Sequence, residues 1–309
     1  MGISSESFKG QNFISMKDYN RDALDFLLEK SDEMIPKAEG GSNMLSGKIM
    51  ASLFFEPSTR TRLSFESSMQ RLGGSVTGFA QAGVSSVAKG ESLEDTIRTI
   101  ENYCDIIVIR HPEETSSIKA SQVSRVPVIN AGAGSWEHPT QALLDLHCIK
   151  HAFGVIDGLN IALCGDLLYG RTVHSLIIAL TNYDVDVTLV SPPQLRIRDD
   201  IKRDVEDKIN FIEVEDLKEV VPNIDVLYVT RIQKERFSDP EVYNRFRDVY
   251  LVDKELVDAG KENLIVMHPL PRVTEIDEDV DGLPNAWYFK QVRHGVYTRM
   301  ALLSLLIGC

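Results

Sequence analysis

Short, predominantly apolar runs, each followed by a stretch of helical periodicity, recur along nearly the whole chain, and this pattern limits the possible folds most severely. The runs lie at about residues 48–55, 106–109, 126–129, 161–164, 185–190, 211–214, 226–229, 249–252 and 264–267. A strand that is apolar at every position must be covered on both faces, as in a parallel sheet flanked by helices. Period-two and period-3.6 segments alternate twice over, which predicts an α/β fold with two doubly wound domains, each around a mainly parallel sheet.

Helix and turn signals fill the spaces between these runs. Leu24, Leu27, Leu28 and Ile35 predict an opening helix, residues 62–72 a second one closed by Gly73-Gly74, and residues 76–79 a short strand. A loop rich in Gly, Ser and Ala spans 80–90, and Ser92-Leu93-Glu94-Asp95 reads as a capping box that opens the next helix. The domains are expected at 1–137 and 151–288, with a linking helix at 138–150 and a final helix at 291–306 that returns residues 291–309 to the first domain. No low-complexity linker separates the halves, so the active site is expected in a cleft between the domains.

Composition removes several function classes. A chain of 309 residues, 43% hydrophobic and 26% charged, can fill two cores. Its net charge of -13, spread over both halves, argues against nucleic acid or an anionic membrane as partner. The four cysteines have no C-x-x-C spacing and three lie in or beside apolar elements, which fits reduced thiols and a cytoplasmic location. No signal peptide or myristoylation pattern opens the chain, and the late apolar stretch 301–307 falls short of the roughly 20 residues a membrane span needs.

In open parallel sheets ligands bind beyond the carboxyl ends of strands, and the polar residues of this chain collect there. Ser58, Thr59, Arg60, Thr61 and Arg62 follow the first strand, and Arg110 and His111 the next. Asn130 and then His138 and Gln141 follow the strand at 126–129. Asp166, Tyr169 and Arg171 come after residue 164, Thr230, Arg231 and Gln233 after residue 229, and His268 to Arg272 after residue 267.

Hydroxyls and guanidiniums where a strand gives way to a helix suit a phosphate: side-chain donors, free backbone N–H groups and the positive helix end converge there. The plainer reading makes Ser58 or Thr59 a simple N-cap and leaves the arginines on a solvated face. Arginine grips planar carboxylates and phosphates in pairs of hydrogen bonds, so several of them at strand ends imply substrates rich in negative charge. A neutral imidazole at a helix start, as at His138, can donate to a developing oxyanion, and Gln141 one turn on can hold an amide-like group.

Residues 165–172 lack G-x-G-x-x-G, which weakens a dinucleotide reading. Also absent are H-E-x-x-H, paired Cys/His ligands, a G-x-S-x-G elbow and a Walker motif, so neither a metal nor a cofactor is expected. What remains is catalysis by positioning and oxyanion stabilisation.

Phe54-Phe55-Glu56-Pro57-Ser58-Thr59-Arg60-Thr61-Arg62 resembles the carbamoyl-phosphate motif of the aspartate and ornithine carbamoyltransferases, and His138-Pro139-Thr140-Gln141 is similar to their second signature. His268-Pro269-Leu270-Pro271-Arg272 lacks the cysteine of the ornithine branch, and Arg231-Ile232-Gln233-Lys234-Glu235 looks like the aspartate-side loop. The resemblance runs nearly end to end and implies transfer of a carbamoyl group from carbamoyl phosphate to aspartate, an early step of pyrimidine synthesis.

It assigns Ser58, Thr59, Arg60 and Thr61 to the phosphate, Thr61, Arg110 and His138 to the carbamoyl oxygen, and Gln141 to its amino group. Arg171, Arg231, Gln233 and the backbone of Leu270 would hold aspartate. Lys89, with Ser85, would reach into a neighbouring subunit's site, making a homotrimer necessary, and a regulatory chain is a further possible partner. Ala88, Ala133 and Leu168 depart from residues common among relatives and bear on loop and domain closure. Ornithine or another amino-acid acceptor, a silent metabolite-binding relative and a nicotinamide-dependent oxidoreductase stay open as alternatives.

Overall fold

The computed structural model describes residues 2–81, 90–233, 246 and 249–308. The chain divides into two units, Met1–His147 with Val292–Cys309, and Cys148–Gln291. Both divisions fall within helices, α5 (Pro139–Phe153) and α10 (Tyr288–Ile307).

The first unit runs α1 (Arg21–Gly40), β1 (Ile49–Phe54), α2 (Thr59–Arg71), β2 (Ser75–Phe79), α3 (Leu93–Ile100), β3 (Ile106–His111), α4 (Ser116–Val123), β4 (Val128–Ala133) and then α5. Its sheet has the order β2-β1-β3-β4, with every pair parallel. Ala51, Leu53, Ile107, Ile109 and Val128 meet Ile97 and Ala120 in one buried cluster. α10 is bound back into this unit: Arg299 Nη1 donates to Ser64 Oγ at 2.7 Å, Ser68 Oγ to the Val296 carbonyl at 3.1 Å, and the Nδ1 atoms of His294 and His147 lie 2.8 Å apart.

The second unit contains β5 (Asn160–Cys164), α6 (Arg171–Leu180), β6 (Asp186–Val190), α7 (Asp199–Val205), β7 (Asn210–Val214), α8 (Leu217–Val220), β8 (Val226–Val229), α9 (Lys254–Asp258) and β9 (Ile265–Met267). Its parallel sheet has the order β7-β6-β5-β8-β9. Ala162, Cys164, Leu227, Val229 and Val266 pack with Leu256, Val257 and Tyr288. The interior strands β1, β3, β5 and β8 are buried almost throughout, whereas β6 is buried only in part and β2 and β7 at the edges are half-exposed. Covering helices on both faces account for the apolar runs of the interior strands.

Four sequence expectations shift. α2 starts at Thr59, three residues early, so Thr59, Arg60 and Thr61 themselves form its first turn. β4 starts at Val128 and continues through Asn130, whose buried side chain donates to the Ile14 carbonyl and accepts from the Gly132 N–H; Asn130 therefore serves the fold, not a ligand. Residues 249–252 form no strand but a single bridge between Val252 and Ile276. The outer edge of β9 is taken instead by backbone bonds from Val266 to Asn285 and from Trp287 to Val266. α10 begins at Tyr288 rather than at residue 291.

Leu227 is wholly buried at the centre of the second sheet's core. Replacing it with alanine leaves a cavity that its neighbours cannot fill, and a loss of about 2–5 kcal/mol is expected in urea unfolding. A loss below about 1 kcal/mol would mean that the site collapses freely and that the described core is wrong.

Candidate active site

In each sheet the crossover direction reverses once, between β1 and β3 in the first and between β5 and β8 in the second. At such a switch point the connecting loops diverge and open a crevice at the carboxyl ends. The sequence places Ser58–Thr61 and Arg110 at the first of these points, and Arg171, Arg231 and Gln233 at the second.

At the first switch point Ser58 occupies the N-cap of α2 in extended conformation, but its side chain makes no capping hydrogen bond. The cap position is filled without its oxygen being spent on the helix, so the plain N-cap reading does not describe Ser58. Thr59 and Arg60 in the first turn are exposed and Thr61 is buried. Arg62 departs from the cluster: it pairs at 3.1 Å with Glu66 one turn on, and Glu66 also accepts from Ser52 Oγ. Its role is the plainer one of helix support.

Arg110 stands opposite Phe54 in the β1/β3 register, and its Nε donates to Glu56 Oε1 at 2.7 Å. Glu56, which the sequence reading passed over, thus orients a guanidinium that is only 15% exposed. His138 precedes α5 and is 4% exposed; its Nε2 lies 3.3 Å from Thr61 Oγ1 and its Nδ1 3.5 Å from Thr140 Oγ1. Thr61 and His138, 77 residues apart, are thereby brought into contact. Gln141 is buried on the first turn of α5, and its Nε2 donates to Asp145 Oδ1 at 2.9 Å.

At the second switch point Asp166 is wholly buried and joins two loops. Its carboxylate accepts from the backbone N–H of Tyr169 at 2.9 Å and of Gln233 at 3.3 Å, and Gln233 Nε2 donates to the Tyr169 carbonyl at 3.0 Å. Gln233 is so placed against the turn that leads to Arg171, the first residue of α6. Gly165 allows this closeness: at φ 116° an added Cβ would lie 2.1 Å from the Thr230 carbonyl oxygen. Arg231 sits between Thr230 and Gln233 and is half-buried. Lys89, Ser85, Ala88, Lys234 and Glu235 lie outside the described residues.

Past β9, Leu270 has φ 55°, in the left-handed region that favours glycine. Its backbone N–H donates to His268 Nδ1 at 2.7 Å, while His268 Nε2 lies 2.8 Å from Glu275 Oε1. With Nδ1 acting as acceptor the ring proton must sit on Nε2, so His268 donates to Glu275. Arg272 is drawn off by Asp281 and Tyr288 and by the faces of Tyr288 and Phe289.

Burial works against ionisation of Glu275, but hydrogen bonds from His268 and the backbone N–H of Val273 outweigh it and hold the carboxyl below its ordinary 4.5. A group whose folded pKa is depressed stabilises the fold above the unfolded value and loses that contribution as pH falls through the folded one. Glu275→Gln is therefore expected to be less stable than the parent at neutral pH, with the gap closing below pH 4.5. Chemical unfolding across pH 3 to 7 tests this, and a gap independent of pH would contradict it.

Two family models match the chain: the carbamoyl-phosphate-binding domain of aspartate/ornithine carbamoyltransferases over residues 11–151, and their aspartate/ornithine-binding domain over residues 157–306. An aspartate carbamoyltransferase catalytic subunit from Thermococcus onnurineus is 53% identical over 97% of this chain and 98% of its own length. Among solved structures, aspartate transcarbamoylase from Trypanosoma cruzi in complex with carbamoyl phosphate and aspartate is 40% identical, with a TM-score of 0.93 and full coverage of both chains. The catalytic subunit of the M. jannaschii enzyme is 51% identical, with a TM-score of 0.89 over 96% of this chain and 98% of its own. The chain belongs to the aspartate/ornithine carbamoyltransferase family.

Proposed function

We propose that the protein transfers the carbamoyl group of carbamoyl phosphate to the amine of L-aspartate, giving N-carbamoyl-L-aspartate and phosphate in pyrimidine biosynthesis. The observation that carries this reading is the first switch point, where a phosphate-suited helix start, Arg110 and the Thr61–His138 contact come from three separate segments. The carbamoyl-phosphate-binding domain, 1–137 with 291–309, binds the donor, and the domain at 151–288 binds aspartate, with the helix at 138–150 linking them.

Ser58, Thr59, Arg60 and Thr61 hold the phosphate through hydroxyls, guanidinium and first-turn N–H groups. Thr61, Arg110 and His138 face the carbamoyl oxygen, and Gln141 the carbamoyl amino group. The aspartate amine attacks the carbamoyl carbon; as the new C–N bond forms, negative charge moves onto the oxygen facing those three donors. The C–O bond to phosphate then breaks, and phosphate departs with the amine proton. Arg171, Arg231 and Gln233 hold the aspartate carboxylates with the Leu270 backbone. Two guanidiniums at one switch point suit a dicarboxylate and repel the cationic side chain of ornithine.

Lys89 and Ser85 of an adjacent subunit complete each site, so the active form is a homotrimer, with a regulatory chain as a further partner. This part rests on the family resemblance. Free thiols at Cys104, Cys148 and Cys164, the last two buried, support a reducing cytoplasmic setting, and no helix among the described residues is long and apolar enough to cross a membrane.

Carbamoyl transfer assayed in parallel with aspartate and ornithine should proceed with aspartate; activity with ornithine alone would overturn the acceptor assignment. Arg60→Ala should lower kcat by about 10²-fold or more, as expected for loss of a charged donor to a developing anion. Wild-type turnover in that variant would sink the proposed phosphate site. Light scattering of the active protein should give three times the 34.6 kDa chain mass or a multiple of that trimer. An active monomer would rule out the shared site.

A further inference from the structure

The amide of Gln141 has two ends of opposite character: Nε2 only donates hydrogen bonds and Oε1 only accepts them. The Nε2 end is already committed to Asp145, one turn further along α5, at 2.9 Å. Asp145 is fully buried and Gln141 is 8% exposed. An ionised carboxylate offers acceptors alone, so the opposite orientation would set Oε1 against a carboxylate oxygen with no proton between them. The orientation is thus fixed electrostatically, and Oε1 is the end left to meet a ligand.

Asp145 has a charged neighbour that favours its ionised form. Arg299 on α10 is 3% exposed, donates through Nη1 to Ser64 Oγ at 2.7 Å and lies 4.9 Å over the Phe65 ring. Its Nε has no hydrogen-bond partner among the described residues. Burial pulls this guanidinium down to about 10, against which the Asp145 charge acts. A buried cation and a buried carboxylate each lower the cost of the other's charge. Ser64 belongs to α2, whose N-cap and first turn carry Ser58 to Thr61, so Arg299 ties that helix to the same network.

We propose that Asp145, backed by Arg299, is a positioning residue that aims Gln141 Oε1 at the donor, so that the site selects acyl phosphates bearing an N–H₂ group over those bearing a methyl. This rests on the assignment of Gln141 to the carbamoyl donor in the preceding subsection. A site built to accept from an N–H discriminates strongly against an isostere that lacks it, because the acceptor is then left unpaired.

The test is calorimetric binding of carbamoyl phosphate and of acetyl phosphate to the whole protein without aspartate. Wild type should prefer carbamoyl phosphate. In Asp145→Asn the replacement amide can donate as well as accept, so Gln141 is released to turn; affinity for carbamoyl phosphate should fall about tenfold while that for acetyl phosphate stays within about twofold.

Should the single variant fold poorly for want of a counter-charge to Arg299, Asp145→Asn combined with Arg299→Met removes both buried charges, and the same selective loss is expected. Equal losses for both ligands indicate a merely structural role and overturn the proposal. So does unchanged binding of both, or a wild type without preference. A wild type that binds with this preference but carbamoylates neither aspartate nor ornithine would instead overturn the activity while leaving the positioning role supported.

Discussion

A parallel strand can be reached only by a crossover that carries the chain back along one face of the sheet. Every strand pair in both sheets here is parallel, so each strand of a sheet delivers its carboxyl end to the same rim. Where the crossovers turn from one direction to the other, at β1/β3 and β5/β8, adjacent loops part and a crevice forms. Residues far apart in sequence, such as Thr61 and His138, meet because of that rule rather than through any local preference. The chemistry of this chain follows from strand order.

Charge is then distributed to suit that geometry. The chain carries 46 acidic against 33 basic residues, so a local excess of arginine has to be maintained against the background. Acidic partners decide which arginines are available. Glu66 and Asp281 withdraw Arg62 and Arg272 into structural pairs. Glu56, by contrast, holds Arg110 in place by its Nε at the strand end, within reach of the β1 loop.

Beneath the candidate site residues lies a second set that gives them direction. Asp166 binds backbone N–H groups from two loops and so fixes Gln233 against the Tyr169 turn. His268 donates a hydrogen bond to Glu275 and accepts one from Leu270, setting the course of a backbone whose φ is unusual for leucine. Asp145 selects one of the two orientations of the Gln141 amide. In each case a buried carboxyl imposes geometry because it can only accept hydrogen bonds and is costly to leave unpaired.

The apolar runs established an α/β fold with two parallel sheets, because a strand without a polar face must be covered twice. The same reading located Ser58 to Thr61, Arg110, His138, Gln141, Arg171, Arg231 and Gln233 at strand ends, and motif likeness suggested their substrates. Boundaries were less legible: at 249–252 the β pattern was present, but the free edge it needed was already occupied by 285–287. Asn130 looked like a ligand until β4 proved to extend through it. Of the supporting carboxylates, Asp166 stood among the strand-end residues, whereas Asp145, four residues after Gln141, was not singled out. The pairing of Glu56 with Arg110 and of Glu275 with His268 awaited the folded chain, because strand register and loop path decide which buried charges meet, and neither is encoded in local spacing.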